Sequence, residues 1–393
     1  MSTGAVTLSG QTVTVTVVST LAAANTVTIT LPSGVTFAAA PSIATTGPLA
    51  VNIASGGSGS ASAVYNVTTA GSAGSTLAFS TMSLSGLQSY IASNASATNF
   101  RLTTSITGDT VTNGSNVVLG NISDALALVT NGSTFSAQID VPTGANRFVS
   151  GTGTALFAAL GETSFTNNTS VLDASAGSLL TLSSTGGTTI LTGNLSNLST
   201  VYATTTATCA TAAPSGAITA TLSSTAATFA GITAGTTFTI CAIASGTGIL
   251  QSGIYSLRNS GTVTSGSSQT SSATTGTATY SGAVRTVNYF VGAGSYSSYA
   301  YVVNTGSASS TLLVSVRRSD GATATGALTS VGAGASSLIS ATDINTAVGS
   351  TFLVNSDSRA QVTFLLGSSN LKVTGLLVNP SGHVVQMGQQ FSD

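Results

Sequence analysis

The stretch QTVTVTVVST, residues 11–20, alternates threonine with valine over six positions and carries no charged side chain. Strict alternation places Val13, Val15 and Val17 on one face of an extended chain, which predicts a half-buried β-strand whose valines face a core. An uncharged β-branched strand without proline also pairs readily with any free sheet edge. The candidate assembly strand consists of Thr12, Val13, Thr14, Val15, Thr16 and Val17.

This strand has two possible partners. The short connection favours pairing with the next alternating segment, NTVTITL at residues 25–31, inside the same domain. The alternative is donation of the strand to the sheet of a neighbouring subunit.

The composition sets the class of protein. Only 4% of the 393 residues are Asp, Glu, Lys or Arg, against about 25% in ordinary globular proteins, and the net charge is −1. Hydrophobic residues make up 42% and the mean hydropathy is +0.44, which predicts a folded chain and not a disordered one. Ser and Thr, about a third of the chain, take the surface positions. Because copies with so little charge repel each other weakly, we expect self-association.

The same composition excludes some partners. Eight scattered basic residues cannot neutralise a run of phosphates, so we expect neither nucleic acid nor an anionic membrane as a partner. Gly, Ser and Thr interrupt every hydrophobic run before it is long enough for a transmembrane segment. The residues after Met1 read like a mature N-terminus, and we expect that a secretion signal has been removed.

Two cysteines, Cys209 and Cys241, favour a single disulfide in a secreted chain, with two buried free thiols as the alternative. In the chain-entropy model this bridge contributes roughly 3 to 4 kcal/mol. Two thiols without nearby histidines make only half of a zinc site.

Short alternating segments separated by turn residues predict an all-β protein of tandem immunoglobulin-like β-sandwich domains with a few short helices. The predicted domains are an N-terminal β domain at 1–133, a second β domain at 134–280 that contains both cysteines, and a C-terminal sandwich at 281–393. Short helices are predicted in LSGLQSYIAS, in GTALFAALGE and in SATDINTAVG, which has a capping serine. The Ser/Thr/Gly-rich run at 261–282 has the composition of a linker or of a long hairpin.

Residues for catalysis are scarce. His383 is the only histidine and Glu162 the only glutamate, and the nine acids are spread over all three predicted domains. A serine triad would need a G-x-S-x-G turn, which the sequence lacks. We therefore expect no enzyme and no cofactor.

Calcium is the one ion worth considering, because several aspartates lie in or near predicted turns. Asp109, Asp124 and Asp140 are weak candidates, since none belongs to a D-x-D-x-D loop. The simpler interpretation is that they cap turns.

A small charge cluster is predicted in the C-terminal domain, on neighbouring strands of one sandwich. Its members are Arg317, Arg318, Asp320, Asp357 and Arg359. Such a cluster is either a solvated set of ion pairs or a charged contact to a neighbouring subunit.

The segments YAYVVNTG, STLLVSVRRSDG and AGASSLISATDI follow one another in residues 299–344. In this order they resemble secreted β-rich proteins of Gram-negative bacteria, several of which form surface layers. The resemblance covers roughly residues 135–380 and implies secretion, a Cys209–Cys241 bridge and a structural role.

Two functions follow as hypotheses. The first is a self-assembling extracellular structural subunit of a surface layer, sheath, tube or filament at the bacterial cell surface, with itself as partner. The alternative is a bacterial cell-surface adhesin or glycan-binding module, for which exposed tyrosines are needed, and the candidates are Tyr289, Tyr296, Tyr299 and Tyr301.

Overall fold

The computed structural model describes residues 6–8, 12–80, 82–93, 99–107, 116–131, 135–150, 153–168, 171, 180–264, 268–292, 294, 296–349, 352–353, 359–368 and 370–387. Over these residues the chain is nearly all β, with two short helices, α1 (Leu87–Ser93) and α2 (Ala341–Ala347), and one 3-10 turn at Val141–Thr143. The prediction of an all-β protein with a few short helices is confirmed.

The chain forms two compact units. The first comprises Met1–Ala127, Asn167–Leu182 and Val263–Ser267, and the second comprises Leu128–Thr166, Ser183–Thr262 and Ser268–Asp393. The division into domains at 1–133, 134–280 and 281–393 stays a prediction.

The first unit contains a β-sandwich. Its strands are β1 (Val6–Leu8), β2 (Val13–Thr16), β3 (Thr26–Thr30), β4 (Thr36–Phe37), β5 (Ser42–Thr45), β6 (Ala50–Gly56), β7 (Ser62–Thr69), β8 (Thr76–Ser80), β9 (Met82–Ser85), β10 (Asn99–Ile106) and β11 (Asn116–Asn121). They form sheets of order β1-β9-β4, β2-β8-β5 and β11-β10-β3-β7-β6. Their inward side chains share one core, in which Val15, Ile29 and Phe79 are fully buried.

The predicted pairing of the opening strand is wrong. Strand β2 pairs antiparallel with β8, with Val15 opposite Leu77, whereas β3 pairs with β7 and β10. The two segments lie in different sheets of the sandwich, because the chain crosses the core between them instead of making a hairpin. Both sets of alternating apolar residues face the same core, so the predicted burial of the valines is nevertheless confirmed.

The second unit begins with two further sheets. Their strands are β12 (Leu126–Asn131), β13 (Phe135–Ile139), β14 (Phe148–Ser150), β15 (Gly153–Ala155), β16 (Phe157–Asn167), β17 (Leu182–Thr192), β18 (Leu198–Thr204), β19 (Ile218–Thr219), β20 (Thr221–Leu222), β21 (Ala226–Ile232), β22 (Thr236–Ala244), β23 (Gly253–Val263) and β24 (Ser268–Tyr280). The sheet orders are β12-β16-β22-β18-β19 and β15-β14-β13-β24-β23-β17-β21-β20. Between the sheets, buried Asn259 accepts hydrogen bonds from the hydroxyls of Thr163 and Thr189.

The structure decides two sequence predictions for residues 153–162 and 261–282. The helix predicted in GTALFAALGE is wrong, because the segment lies in β15 and β16, and β16 pairs antiparallel with β22. The run at 261–282 is a hairpin, with β23 antiparallel to β24. Pairing between strands overrides the high helix propensity of Ala and Leu in the first case.

The C-terminal part of the second unit is a sandwich of two four-stranded sheets. Its strands are β25 (Ala283–Val291), β26 (Ser297–Asn304), β27 (Ser310–Arg318), β28 (Thr323–Val331), β29 (Ser336–Ser340), β30 (Arg359–Leu366), β31 (Leu371–Val378) and β32 (Val384–Met387). The sheet orders are β25-β30-β27-β28 and β29-β26-β31-β32. Helix α2 starts at a capping box in which Ser340 and Asp343 bond each other's backbone N–H groups.

The turn at the end of the YAYVVNTG segment, after β26, has a structural explanation. Asn304 is fully buried, and its side-chain amide donates to the carbonyls of Ala308 and Val331 at 2.8 and 3.0 Å. Its carbonyl oxygen accepts from the Gly306 N–H and the Ser368 hydroxyl at 3.0 and 2.9 Å. All four hydrogen-bonding positions of the amide are filled, so Asn304 fixes the turn after β26 against two other loops.

Candidate functional site

The most exposed apolar strand edge is β32, at the end of one sheet of the C-terminal sandwich. Strand β31 pairs with it antiparallel on one side, with Leu377 opposite Val385, and the described residues supply no strand on the other side. Val384 and Val385 are 59% and 56% exposed, although neighbouring side chains in a strand point to opposite faces. The strand therefore presents valine on both faces beside an open backbone edge.

The turn before β32 holds this edge in place. Asn379 accepts hydrogen bonds from the N–H groups of Ser381 and His383, and its own N–H donates to the His383 carbonyl. Gly382 takes a φ of +79°, a conformation that favours glycine. The only histidine of the chain thus follows the turn at residues 379–382 and bonds back to Asn379.

The candidate assembly strand predicted from the sequence is an edge strand as well. Thr12 precedes β2, the next four residues form β2, and Val17 follows with its N–H donating to the Ser75 carbonyl. Val13, Val15 and Val17 are at most 2% exposed. The three valine side chains are already buried in the core of the first unit. Further pairing of β2 would use the outer backbone edge of this strand.

The predicted charge cluster lies on β27 and β30 and on the turn after β27. Arg317 pairs in register with Gln361 and Arg318 with Ala360, and the Ser319 N–H donates to the Arg359 carbonyl. Asp357 lies outside the described residues. The described members come together as the sequence predicts, and a contact with a neighbouring subunit stays a prediction.

Two arginines of the cluster, Arg318 and Arg359, have partners among the described residues. Arg318 forms an ion pair with Asp320 and lies 5.2 Å from the centre of the Phe352 ring. Arg359 lies 5.7 Å from the centre of the Tyr289 ring. The Arg318 hydrogen bond holds the pKa of the Asp320 carboxyl below its usual value, so Asp320 stays ionised at neutral pH.

Cys209 and Cys241 are joined in a disulfide. Cys241 is fully buried in β22, and the bridge fixes the loop after β18 to this central strand. The Tyr202 hydroxyl supports the same loop, since it donates to the Ala210 carbonyl and accepts from the Ala210 N–H.

The calcium candidates fall in separate parts of the chain. Asp109 lies outside the described residues, Asp124 belongs to the first unit and Asp140 to the second. Asp140 is buried and caps the 3-10 turn by accepting from the Thr143 N–H. Within the described ranges no three His, Cys, Asp or Glu residues form a group that would hold a metal ion.

The tyrosines proposed for glycan binding differ in exposure. Tyr289, Tyr296 and Tyr301 are exposed, with Arg359 over the Tyr289 ring, and Tyr299 is half-buried. Tyr301 pairs in register with Leu338, which is also exposed. Across the part of the chain that the structure covers, no helix is long and apolar enough to cross a membrane.

Comparison with known proteins gives no family. No family model and no curated protein matches the chain. Among solved structures it is similar to the YadV chaperone, with 9% identity and a TM-score of 0.19 over 67% of this chain and 98% of the other. It is also similar to the major pilin subunit of Bacillus cereus, with 6% identity and a TM-score of 0.24 over 97% and 94%.

A third similar structure is a Ca²⁺-stabilized adhesin that helps an Antarctic bacterium to bind ice, with 11% identity and a TM-score of 0.19 over 96% of this chain and 72% of the other. At these TM-scores the similar structures do not establish a shared arrangement. The function is therefore inferred from the chain's own strands and side chains.

The sequence reasoning missed β32. A signal was present, because HVVQM follows the turn residues Pro380, Ser381 and Gly382 and carries two adjacent valines. Adjacent valines do not alternate, so the period-two pattern that finds half-buried strands gives no sign of this one.

Proposed function

We propose that the chain is a non-enzymatic structural subunit of the bacterial cell surface, which assembles with copies of itself into a layer, sheath, tube or filament. The observation that carries the proposal is the open edge of β32 with exposed valine on both faces. The disulfide supports an extracellular location, because disulfides persist in oxidising compartments.

Strand β32 itself carries none of the residues that keep sheet edges apart. Monomeric proteins protect such edges with Lys, Pro, bulges or a covering loop, and Val384–Met387 has no charge and no proline. Backbone pairing with a second strand would satisfy the outward N–H and C=O groups and cover the valines.

A second copy of the chain is the occupant that the composition favours. With 4% charged residues, two copies approach without strong repulsion. The outer edge of β2 is also uncharged, and pairing between two different edges extends an assembly without closing it. Sheets, tubes and filaments are all products of such repeated pairing.

The test is negative-stain electron microscopy of the purified protein and two variants, with and without millimolar calcium. The double substitution V384K/V385K places two charges beside the edge, and we expect ordered assemblies of the native chain to disappear. The matched control is Ile254→Lys, because Ile254 is 65% exposed but lies on β23, an inner strand of its sheet.

Assemblies that persist in V384K/V385K, or a native chain that stays dispersed in every condition, would contradict the proposal. The proposal needs no cofactor. Assembly only in calcium would make the turn aspartates ligand candidates.

The second candidate function is a cell-surface adhesin or glycan-binding module. It is favoured by the exposed pair Tyr301 and Leu338 on neighbouring strands, since an apolar aromatic face is what a sugar ring stacks on. Glycan-array binding that is lost in Tyr301→Ala, without assembly in the microscope, would support this function over the first.

A further inference from the structure

A polar trough runs along the outer face of the sheet β25-β30-β27-β28 in the second unit. Its deeper part is a cleft of about 510 Å³ between this face and the segments at 193–196, 224–225 and 251–252. Its shallower part is a depression of about 360 Å³. The two parts share Arg317, Gly321 and Gln361, so they are continuous.

The strand register explains why the floor of the trough is polar. On β27, Val314 and Val316 face the core of the sandwich, so Ser315 and Arg317 point outward. The opposite positions on β30 are Thr363 and Gln361.

The facing wall supplies further hydroxyl and amide groups. It contributes Asn194, Ser196, Ser224, Thr225, Gln251 and Ser252. The Ser315 hydroxyl donates to Gln251 Oε1 at 3.0 Å and thereby connects wall and floor.

One amide group at this junction is unsatisfied. Gln251 Nε2 is buried and has no hydrogen-bond partner among the described residues. If the two amide atoms are exchanged, the oxygen takes this unpaired position instead. A buried polar atom without a partner is unfavourable, and a ligand that hydrogen-bonds to it would satisfy it. The junction therefore favours a ligand rich in hydroxyl groups, which can donate to or accept from the unpaired amide atom.

The trough also concentrates positive charge. Arg317, Arg318 and Arg359 line it, and among the described residues the carboxylate beside them is Asp320, which pairs with Arg318. Arg317 is exposed where the two parts of the trough meet. Three of the eight basic residues of the chain thus lie along one concave surface.

We propose that this trough binds an acidic saccharide, with Arg317 holding a carboxylate or sulfate and the Ser, Thr, Asn and Gln side chains bonding the sugar hydroxyls. A guanidinium group can form two parallel hydrogen bonds to two oxygens of one carboxylate or sulfate. Arg317 lines both parts of the trough, and a contact with another subunit is the alternative that the variants below distinguish. The site is separate from the β32 edge and does not depend on assembly.

The experiment is isothermal titration of the full-length chain with tetragalacturonate and, as the neutral probe of equal length, maltotetraose, at 50 and 500 mM NaCl. We expect the acidic tetramer to bind at least tenfold tighter than the neutral one at low salt, and to weaken as salt screens the charge. Equal affinity for both tetramers, or binding of neither, would overturn the proposal.

The matched variants are Arg317→Gln and Arg258→Gln. Arg258 is exposed on β23 and does not line the trough, so its replacement removes the same charge elsewhere. We expect Arg317→Gln to weaken binding of tetragalacturonate at least tenfold and Arg258→Gln to leave it within twofold. Thermal unfolding of both variants shows that the loss does not come from misfolding.

The V384K/V385K background separates this proposal from the proposed function. Tetragalacturonate binding that survives there, while assembly is lost, shows that the two surfaces act independently. If Arg317→Gln abolishes ordered assembly and leaves saccharide binding unchanged, the trough is a subunit contact and the saccharide site is refuted.

Discussion

Strand β2 of the first unit and strand β32 of the C-terminal sandwich are both uncharged edge strands, yet their valines differ in what they contact. In β2 the valines alternate with threonines, and all of them lie in the core below the strand. In β32 two adjacent valines point to opposite faces, and both are exposed.

The difference shows that composition alone does not identify an assembly strand. Both segments are β-branched, uncharged and free of proline, and both end a sheet. The decisive property is whether the strand's side chains already have a core. A strand whose valines are buried stabilises its own domain, whereas one whose valines are exposed has them available for a partner.

The largest effect is expected when one valine of each strand is replaced by aspartate. We expect Val15→Asp to unfold the first sandwich, because an unpaired charge at a fully buried position costs more than about 4 kcal/mol. Val385→Asp should change stability by less than about 0.5 kcal/mol, since the side chain is exposed. Urea unfolding of both variants measures the difference, and equal losses would refute it.

The next comparison concerns how the C-terminal sandwich holds its loops. We expect Asn304→Ala to lower the free energy of unfolding by about 3 kcal/mol, because four hydrogen bonds of a fully buried side chain are lost. Asn52→Ala is the control, since Asn52 is exposed on β6 of the first sandwich. Denaturant titration that gave the two variants equal stability would contradict the role of Asn304.

A smaller effect is expected at high pH, in the middle of the second unit. Burial, with a smaller contribution from Tyr280, raises the pKa of Tyr255 to about 12, and its hydroxyl donates to the Asn194 carbonyl. Because an unfolded tyrosine ionises near pH 10, the unfolded state loses its proton first and stability falls between pH 10 and 12.

The expected loss from Tyr255 is on the order of 2 kcal/mol by pH 12. Tyr255→Phe should unfold less steeply than the native chain over this range, as followed by far-UV circular dichroism against pH. An unchanged slope would mean that the Tyr255 hydroxyl does not titrate as its burial requires.

Local patterns were sufficient for the class of fold and for several strands. The alternation in residues 12–17 correctly placed Val13, Val15 and Val17 in a core, and Ser340 with Asp343 correctly predicted the start of α2. These features depend on neighbours within a few residues, which a sequence shows directly.

Pairing between distant segments could not be derived in this way. Val15 lies opposite Leu77, far along the chain, and a short connection to residues 25–31 gave the wrong partner. The helix prediction in GTALFAALGE was wrong for the same reason. The segment forms part of β16, whose pairing partner β22 is distant in sequence.

The candidate surfaces illustrate the same limit. Arg317 and Arg359 could be placed together because both fall in clear strands. Gln251 could not be joined to Ser315, since no local pattern connects a loop of one sheet to the outer face of another.

The most direct test of the central claim is hydrogen–deuterium exchange of the backbone at 384–387 and 13–16, in dilute protein and in protein that forms assemblies. We predict that the outward amides of β32 become protected from exchange on assembly. The amides of β2 that already bond to β8 should keep their protection. Assemblies in which residues 384–387 exchange as fast as in the dilute chain would contradict it.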